Sequence, residues 1–148
     1  MATYVGTNKK DKIKGSNNRD YIYGYDENDK LYGEGGNDYL YGGYGNDKLD
    51  GGHDNDVLFG GYGSDELKGG KGADTFAFRN RYEGIDTIKD FKWKDGDKIQ
   101  ISRFGFGATS TSQFHYNSHS GALSFGNTQF ATLKEHTDFN VHRDIKFV

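Results

Sequence analysis

An aspartate recurs every nine residues through the first half of this 148-residue chain, at Asp11, Asp20, Asp29, Asp38, Asp47, Asp56, Asp65 and Asp74. Carboxylates at a fixed period act either as solvated charge or as ligands for a hard cation, which prefers oxygen donors. Softer metals find little here, because the chain has no Cys. Catalysis has no comparable footing: HExxH, G-x-S-x-G and the phosphate-binding glycine loop are all missing from the sequence. His115 and His119 stand four apart, but in a segment that reads as strand and turn, where that spacing does not bring two rings together. The chain is therefore expected not to be an enzyme.

A nonapeptide unit positions the carboxylates. Glycine opens it at Gly6, Gly15, Gly24, Gly33, Gly42, Gly51, Gly60 and Gly69. Its eighth place is large and apolar: Ile13, Ile22, Leu31, Leu40, Leu49, Leu58, Leu67 and Phe76. Glycine permits positive φ and close backbone approach, so positions one to six predict a turn. Positions seven to nine alternate polar, apolar, polar, which predicts a short strand with one residue inward. Two units make an 18-residue coil, and alternate units then stack about 4.8 Å apart. Asp11, Asp29, Asp47 and Asp65 fall in one column, and Asp20, Asp38, Asp56 and Asp74 in the other. Carboxylates stacked this closely repel strongly unless cations lie between them. Oxygen donors in a flexible frame select Ca²⁺.

The unit G-G-x-G-x-D-x-U-x, with U apolar, resembles the repeat of the RTX (repeats-in-toxin, hemolysin-type calcium-binding) family, and the match runs from Gly6 to Phe78. The resemblance implies an all-β fold: a right-handed parallel β-roll with a mixed β C-terminal cap. It also implies that each ion sits between turns n and n+2, held by both aspartates and by backbone carbonyls of positions one to four. The carbonyl donors expected are Gly33, Gly35, Gly36, Gly42, Gly43, Tyr44, Gly45, Gly51, Gly52, His53, Gly60, Gly61, Tyr62, Gly63, Gly69, Gly70 and Gly72. Pairing the eight aspartates in this way predicts about six Ca²⁺ ions or more. Position four carries Lys9, Asn18, Glu27 and Asp54 where glycine is expected. Side chains strain a turn that needs positive φ, so the first two or three repeats are expected to bind more weakly than those from Gly33 onward.

Outward positions differ between the two sheets. One shows Lys12, Lys14, Lys30, Tyr32, Lys48, Asp50, Glu66 and Lys68; the other shows Tyr21, Tyr23, Tyr39, Tyr41, Val57, Phe59, Thr75 and Ala77. The lysine-rich face offers an alternative function, binding of an acidic polysaccharide such as alginate. The aromatic face is expected to pack against the C-terminal half.

Residues 1–78 thus form the roll and 79–148 a capping region. "DTIKDFKWKDGDKIQIS", Asp86 to Ser102, resembles the segment after the last repeat of serralysin-type proteases and alginate-epimerase R-modules. There Glu83, Asp86 or Asp90 is expected to complete a terminal ion site. Phe114 to Leu133 reads as hairpins. The ending "DIKFV" reads as a last edge strand and also resembles a type I secretion signal. With 23 Gly and no disulfide to staple it, the chain is expected to fold only with its ion. The family resemblance implies a secreted, extracellular protein that meets the type I secretion machinery and folds on calcium after export. Formal net charge of −3 specifies no partner. Neither nucleic-acid binding nor a membrane span is expected.

Overall fold

The computed structural model describes residues 1–134 and 138–148. The repeats wind into coils whose strands fall alternately into two sheets. Strands β1 (Thr3–Val5), β3 (Tyr21–Tyr25), β5 (Tyr39–Tyr44), β7 (Val57–Tyr62) and β9 (Thr75–Phe78) line one sheet. Strands β2 (Lys12–Lys14), β4 (Lys30–Glu34), β6 (Lys48–His53) and β8 (Glu66–Lys71) line the other. All pair in parallel at a step of 18 residues, as in Leu40 with Leu58 and Leu49 with Leu67. The protein is a parallel β-solenoid of the β-roll type.

The inward column is continuous. Ile22, Leu31, Leu40, Leu49, Leu58, Leu67 and Phe76 are all at most 2% exposed. A single apolar residue per repeat suffices because the two sheets face each other, so each side chain packs against those of the opposite sheet and of its neighbouring coils. The strands are longer than the three residues predicted. β5 to β8 each span six residues and run through position three of the next repeat. Paired glycines allow this: Gly43 stays in register with Gly61, and Gly52 with Gly70, although each has positive φ.

Both sheets continue past Phe78. β10 (Asp86–Ile88) pairs with β8 in parallel, and β11 (Lys98–Ile101) pairs with β9. A hairpin series, β12 (Phe114–Tyr116), β13 (Ala122–Phe125) and β14 (Thr128–Leu133), then adds antiparallel pairs, with β14 parallel to β10. Short helices α1 (Arg103–Phe106) and α2 (Val141–Asp144) lead around the end, and β15 (Ile145–Phe147) closes the other sheet beside β11. "DIKFV" is therefore an edge strand, with Asp144 buried and paired to the guanidinium of Arg143 at 2.7 Å. The open end of the core is plugged by phenylalanines. Phe106 lies 5.0 Å from Phe130 and 5.8 Å from Phe125, ring centre to ring centre.

The aromatic face does not become a buried interface. Tyr21 stacks on Tyr39 at 5.1 Å, and Tyr41 on Phe59 at 4.8 Å, with the Arg79 guanidinium over Phe59 at 4.4 Å. The C-terminal half only rims these rings, through Arg79, Gln100, Phe104 and Val148, leaving a groove of about 610 Å³. Opposite, the lysine face is crossed by ion pairs: Lys14–Glu34 at 2.9 Å, Lys48–Glu66 at 2.7 Å, Lys68–Asp50 at 2.9 Å and Lys89–Glu66 at 3.3 Å. Among the described residues, no helix is long and apolar enough to cross a membrane.

Candidate metal centre

Each aspartate of the repeats ends its turn with the carboxylate folded back under the turn's own first glycine. A β-carbon on Gly42 would sit 2.3 Å from Asp47 Oδ2, and one on Gly51 would sit 2.4 Å from Asp56 Oδ2. This close approach explains why position one is glycine in every repeat although its φ is ordinary. The other oxygen ties adjacent coils together. Asp29 N–H donates to Asp47 Oδ1 at 2.7 Å, Asp38 N–H to Asp56 Oδ1 at 2.8 Å, and Asp47 N–H to Asp65 Oδ1 at 2.8 Å.

The remaining oxygens are the informative ones. Oδ2 of Asp29, Asp38, Asp47, Asp56 and Asp65 is buried and accepts no hydrogen bond. A buried carboxylate oxygen without a donor is costly and calls for an explanation, such as a bound ion. Burial, reinforced by the charges of Asp65 and Asp29, pushes the Asp47 carboxyl up to about 7. Burial and the charges of Asp74, Asp38 and Asp54 push Asp56 up to about 8. Such groups either keep a proton at neutral pH or need a cation. Among the described residues, no three His, Cys, Asp or Glu side chains converge on one point. A cation here must draw most of its oxygens from the backbone, and hard Ca²⁺ accepts such carbonyls.

Both columns extend beyond the repeats. Asp65 N–H donates to Asp86 Oδ1 at 3.1 Å, and Asp74 N–H donates to Asp97 Oδ1 at 2.9 Å. Thr87 and Lys98 N–H then bond the Asp65 and Asp74 carbonyls, the pattern that Lys48 and Val57 make with Asp29 and Asp38. Asp86 is thus the next rung of the first column, and burial followed by the Asp65 charge raises its pKa. Glu83, 18 residues after Asp65, is expected in register as a ninth position-six residue, but it stands in a position-three place. Its carbonyl accepts from Gly63 N–H at 2.7 Å, as that of Tyr62 accepts from Gly45 N–H at 2.9 Å, and its carboxylate accepts from the Arg79 amide. Asp90 binds the amides of Gly69 and Gly70, both at 2.9 Å. Sequence reading missed Asp97 altogether, because it lies 23 residues after Asp74 instead of 18.

Sequence reading also passed over position five. Asn28 Oδ1 accepts from Asn46 N–H at 2.7 Å, Asn46 Oδ1 from Ser64 N–H at 2.9 Å, and Asn55 Oδ1 from Ala73 N–H at 2.7 Å. These bonds reach to the following coil, whereas the aspartates reach to the preceding one. The signal was visible as Asn28, Asn37, Asn46 and Asn55 at one repeat position.

Positions two and four take the left-handed backbone. Gly43, Gly52, Gly61 and Gly70 do so at position two, and Gly36, Gly45, Gly63 and Gly72 at position four. Tyr25, Glu34, Glu27 and Asp54 are forced into the same region, with φ of 84°, 78°, 71° and 75°. Strain at position four is expected at Lys9, Asn18, Glu27 and Asp54; Glu27 and Asp54 take the left-handed form, and Lys9 and Asn18 do not. Gly61→Ala is a sharper case, since its β-carbon would lie 2.2 Å from the Gly43 carbonyl oxygen at φ +103°. Left-handed strain alone costs about 1–3 kcal/mol, and the clash adds to it. We expect its calcium midpoint, read by circular dichroism, to rise well above that of wild type; an unchanged midpoint would refute the turn geometry.

Two columns of buried, underbonded carboxylates along a solenoid have the chemistry of a receptor for hard cations. The family model for the RTX calcium-binding nonapeptide repeat matches residues 5–40, 32–61 and 41–76. The repeat region of this chain belongs to that calcium-binding family. The chain is similar, at 26% identity and a TM-score of 0.43, to the solution structure of the AlgE6R3 subunit from the Azotobacter vinelandii mannuronan C5-epimerase, over 97% of this chain and 78% of that one. No curated protein matches it.

Proposed function

We propose that the chain is a calcium-folded module of a secreted protein, unordered where calcium is scarce and locked into its roll outside the cell. The observation that carries this is the run of buried Oδ2 atoms from Asp29 to Asp65, which have no donor. Ca²⁺ would be held between coils by paired aspartates of each column and by carbonyls of positions one to four, supplying the positive charge these oxygens lack. The chain's own residues set the slots: glycines admit the carboxylates, and the amides fix one oxygen of each. Residues 79–148 would cap the roll, with Asp86 and Asp97 as its last rungs. The protein then needs calcium to fold, and binding and folding share one free energy.

Calorimetric titration of Ca²⁺ alongside circular dichroism tests this on the full chain. We expect several ions per chain, taken up together with the gain of sheet signal, in the range of about 10⁻⁴–10⁻³ M of extracellular modules. Sheet signal that is complete without calcium would end this reading. Removal of residues 86–148 takes away Asp86, Asp97 and the phenylalanine plug. That variant is expected to stay disordered at a calcium level that folds the full chain. In the acidic-polysaccharide alternative, Lys14, Lys48 and Lys68 would exchange partly exposed carboxylate partners for the polymer, and Lys12 and Lys30 would join them. Retention of the calcium-loaded chain on immobilised alginate at low salt would support it.

A further inference from the structure

The first aspartate of each column is bonded differently from those that follow. Asp11 Oδ2 accepts from the Thr7 amide at 2.6 Å and the Thr7 hydroxyl at 2.8 Å. Asp20 Oδ2 accepts from the Ser16 amide at 2.8 Å and the Ser16 hydroxyl at 2.7 Å. The same hydroxyl oxygens accept from the amides of Lys9 and Asn18, both at 3.2 Å. These two turns therefore hold themselves together, and none of Thr7, Lys9, Ser16 or Asn18 enters the left-handed region. In the next turn of each column Tyr25 and Glu34 replace the hydroxyl residue, and Asp29 and Asp38 Oδ2 are left without a donor.

We infer that Thr7 and Ser16 close the N-terminal rung of each column without an ion, so that Asp11 and Asp20 are not calcium ligands and the metal ladder starts at Asp29 and Asp38. This rests on the calcium reading above and revises the expectation that all eight repeat aspartates are ligands. An oxygen that already accepts two short hydrogen bonds faces donor hydrogens where a cation would have to approach. Both bonds would have to break, and the turn would have to refold into the left-handed form.

The test is the number of Ca²⁺ ions bound by the full chain at saturation, measured by equilibrium dialysis, with circular dichroism as the check on folding. Asp11→Asn and Asp20→Asn should each bind as many ions as wild type, while Asp47→Asn should lose at least one. Replacing both closing residues, Thr7→Gly with Ser16→Gly, should raise the count. Loss of an ion from Asp11→Asn or Asp20→Asn, or an unchanged or smaller count in the double glycine variant, overturns the inference. A wild type that binds no calcium overturns the calcium reading itself, and this inference with it.

Discussion

Stripping calcium from the folded chain with EGTA at pH 8 to 9 will abolish its sheet signal, and acidification toward pH 5 will restore part of it without metal. Both halves follow from the buried carboxylates. Their ordinary pKa is about 3.9 in an unfolded chain, but Asp47 and Asp56 stand at about 7 and about 8 in the metal-free roll. The folded chain then binds more protons than the unfolded one between about pH 4 and 8, so its stability falls as pH rises through that window. The contribution is fully present below the unfolded pKa and gone above the folded one. At about 1.4 kcal/mol per pH unit, keeping Asp47 and Asp56 ionised without a cation costs on the order of 4 and 6 kcal/mol. Those two alone rival the ~5–15 kcal/mol that holds an ordinary domain together. Calcium removal is therefore expected to unfold the chain, not merely loosen it. A full sheet signal in EGTA at pH 9 would show that the carboxylates are not under this tension.

Leu49→Ala should lower the stability of the calcium-loaded chain by roughly 2–5 kcal/mol, the usual range for a truncated core leucine. Leu49 is 2% exposed and sits in register with Leu31 and Leu67. A solenoid has no second layer that can move in to fill the gap, because the inward residues come one per repeat. The loss should appear as a lower denaturant midpoint at saturating calcium, with the ion count unchanged. Equal midpoints in mutant and wild type would remove the leucine column from the core.

The repeat itself was legible because three physical demands recur at one period. Gly42 makes room for a carboxylate, Asp47 supplies it, and Leu49 faces inward, and each column shows without reference to the others. The columns end where the period ends. Asp86 and Asp97 do the same work as Asp65 and Asp74, but loops of extra residues separate them from their partners, and spacing alone pointed to Glu83 just as well. The aromatic face was misjudged for a different reason. Alternation shows that Tyr21, Tyr39, Tyr41 and Phe59 point outward, but not that they stack on one another along the roll axis. Asp50 and Glu66 were legible on the lysine face, but the spacing did not show that they, and Glu34 at position two, pair with Lys68, Lys48 and Lys14 of neighbouring strands.

The asparagine and aspartate bonds run in opposite senses along the same edge of the roll, and this turns each slot into a gauge. Asn28, Asn37, Asn46 and Asn55 draw the following coil close, at 2.7 to 3.1 Å. The aspartates draw the preceding coil close, at 2.7 to 3.1 Å. In the folded roll the width between coils is thus set by these amide hydrogens. Ca²⁺ accepts oxygens at ~2.3–2.6 Å in flexible geometry, whereas Mg²⁺ demands a tight octahedron at ~2.0–2.1 Å. An ion taken up in these slots would meet coils already set apart by asparagine and aspartate side chains, and Mg²⁺ is expected not to restore the sheet signal that Ca²⁺ gives.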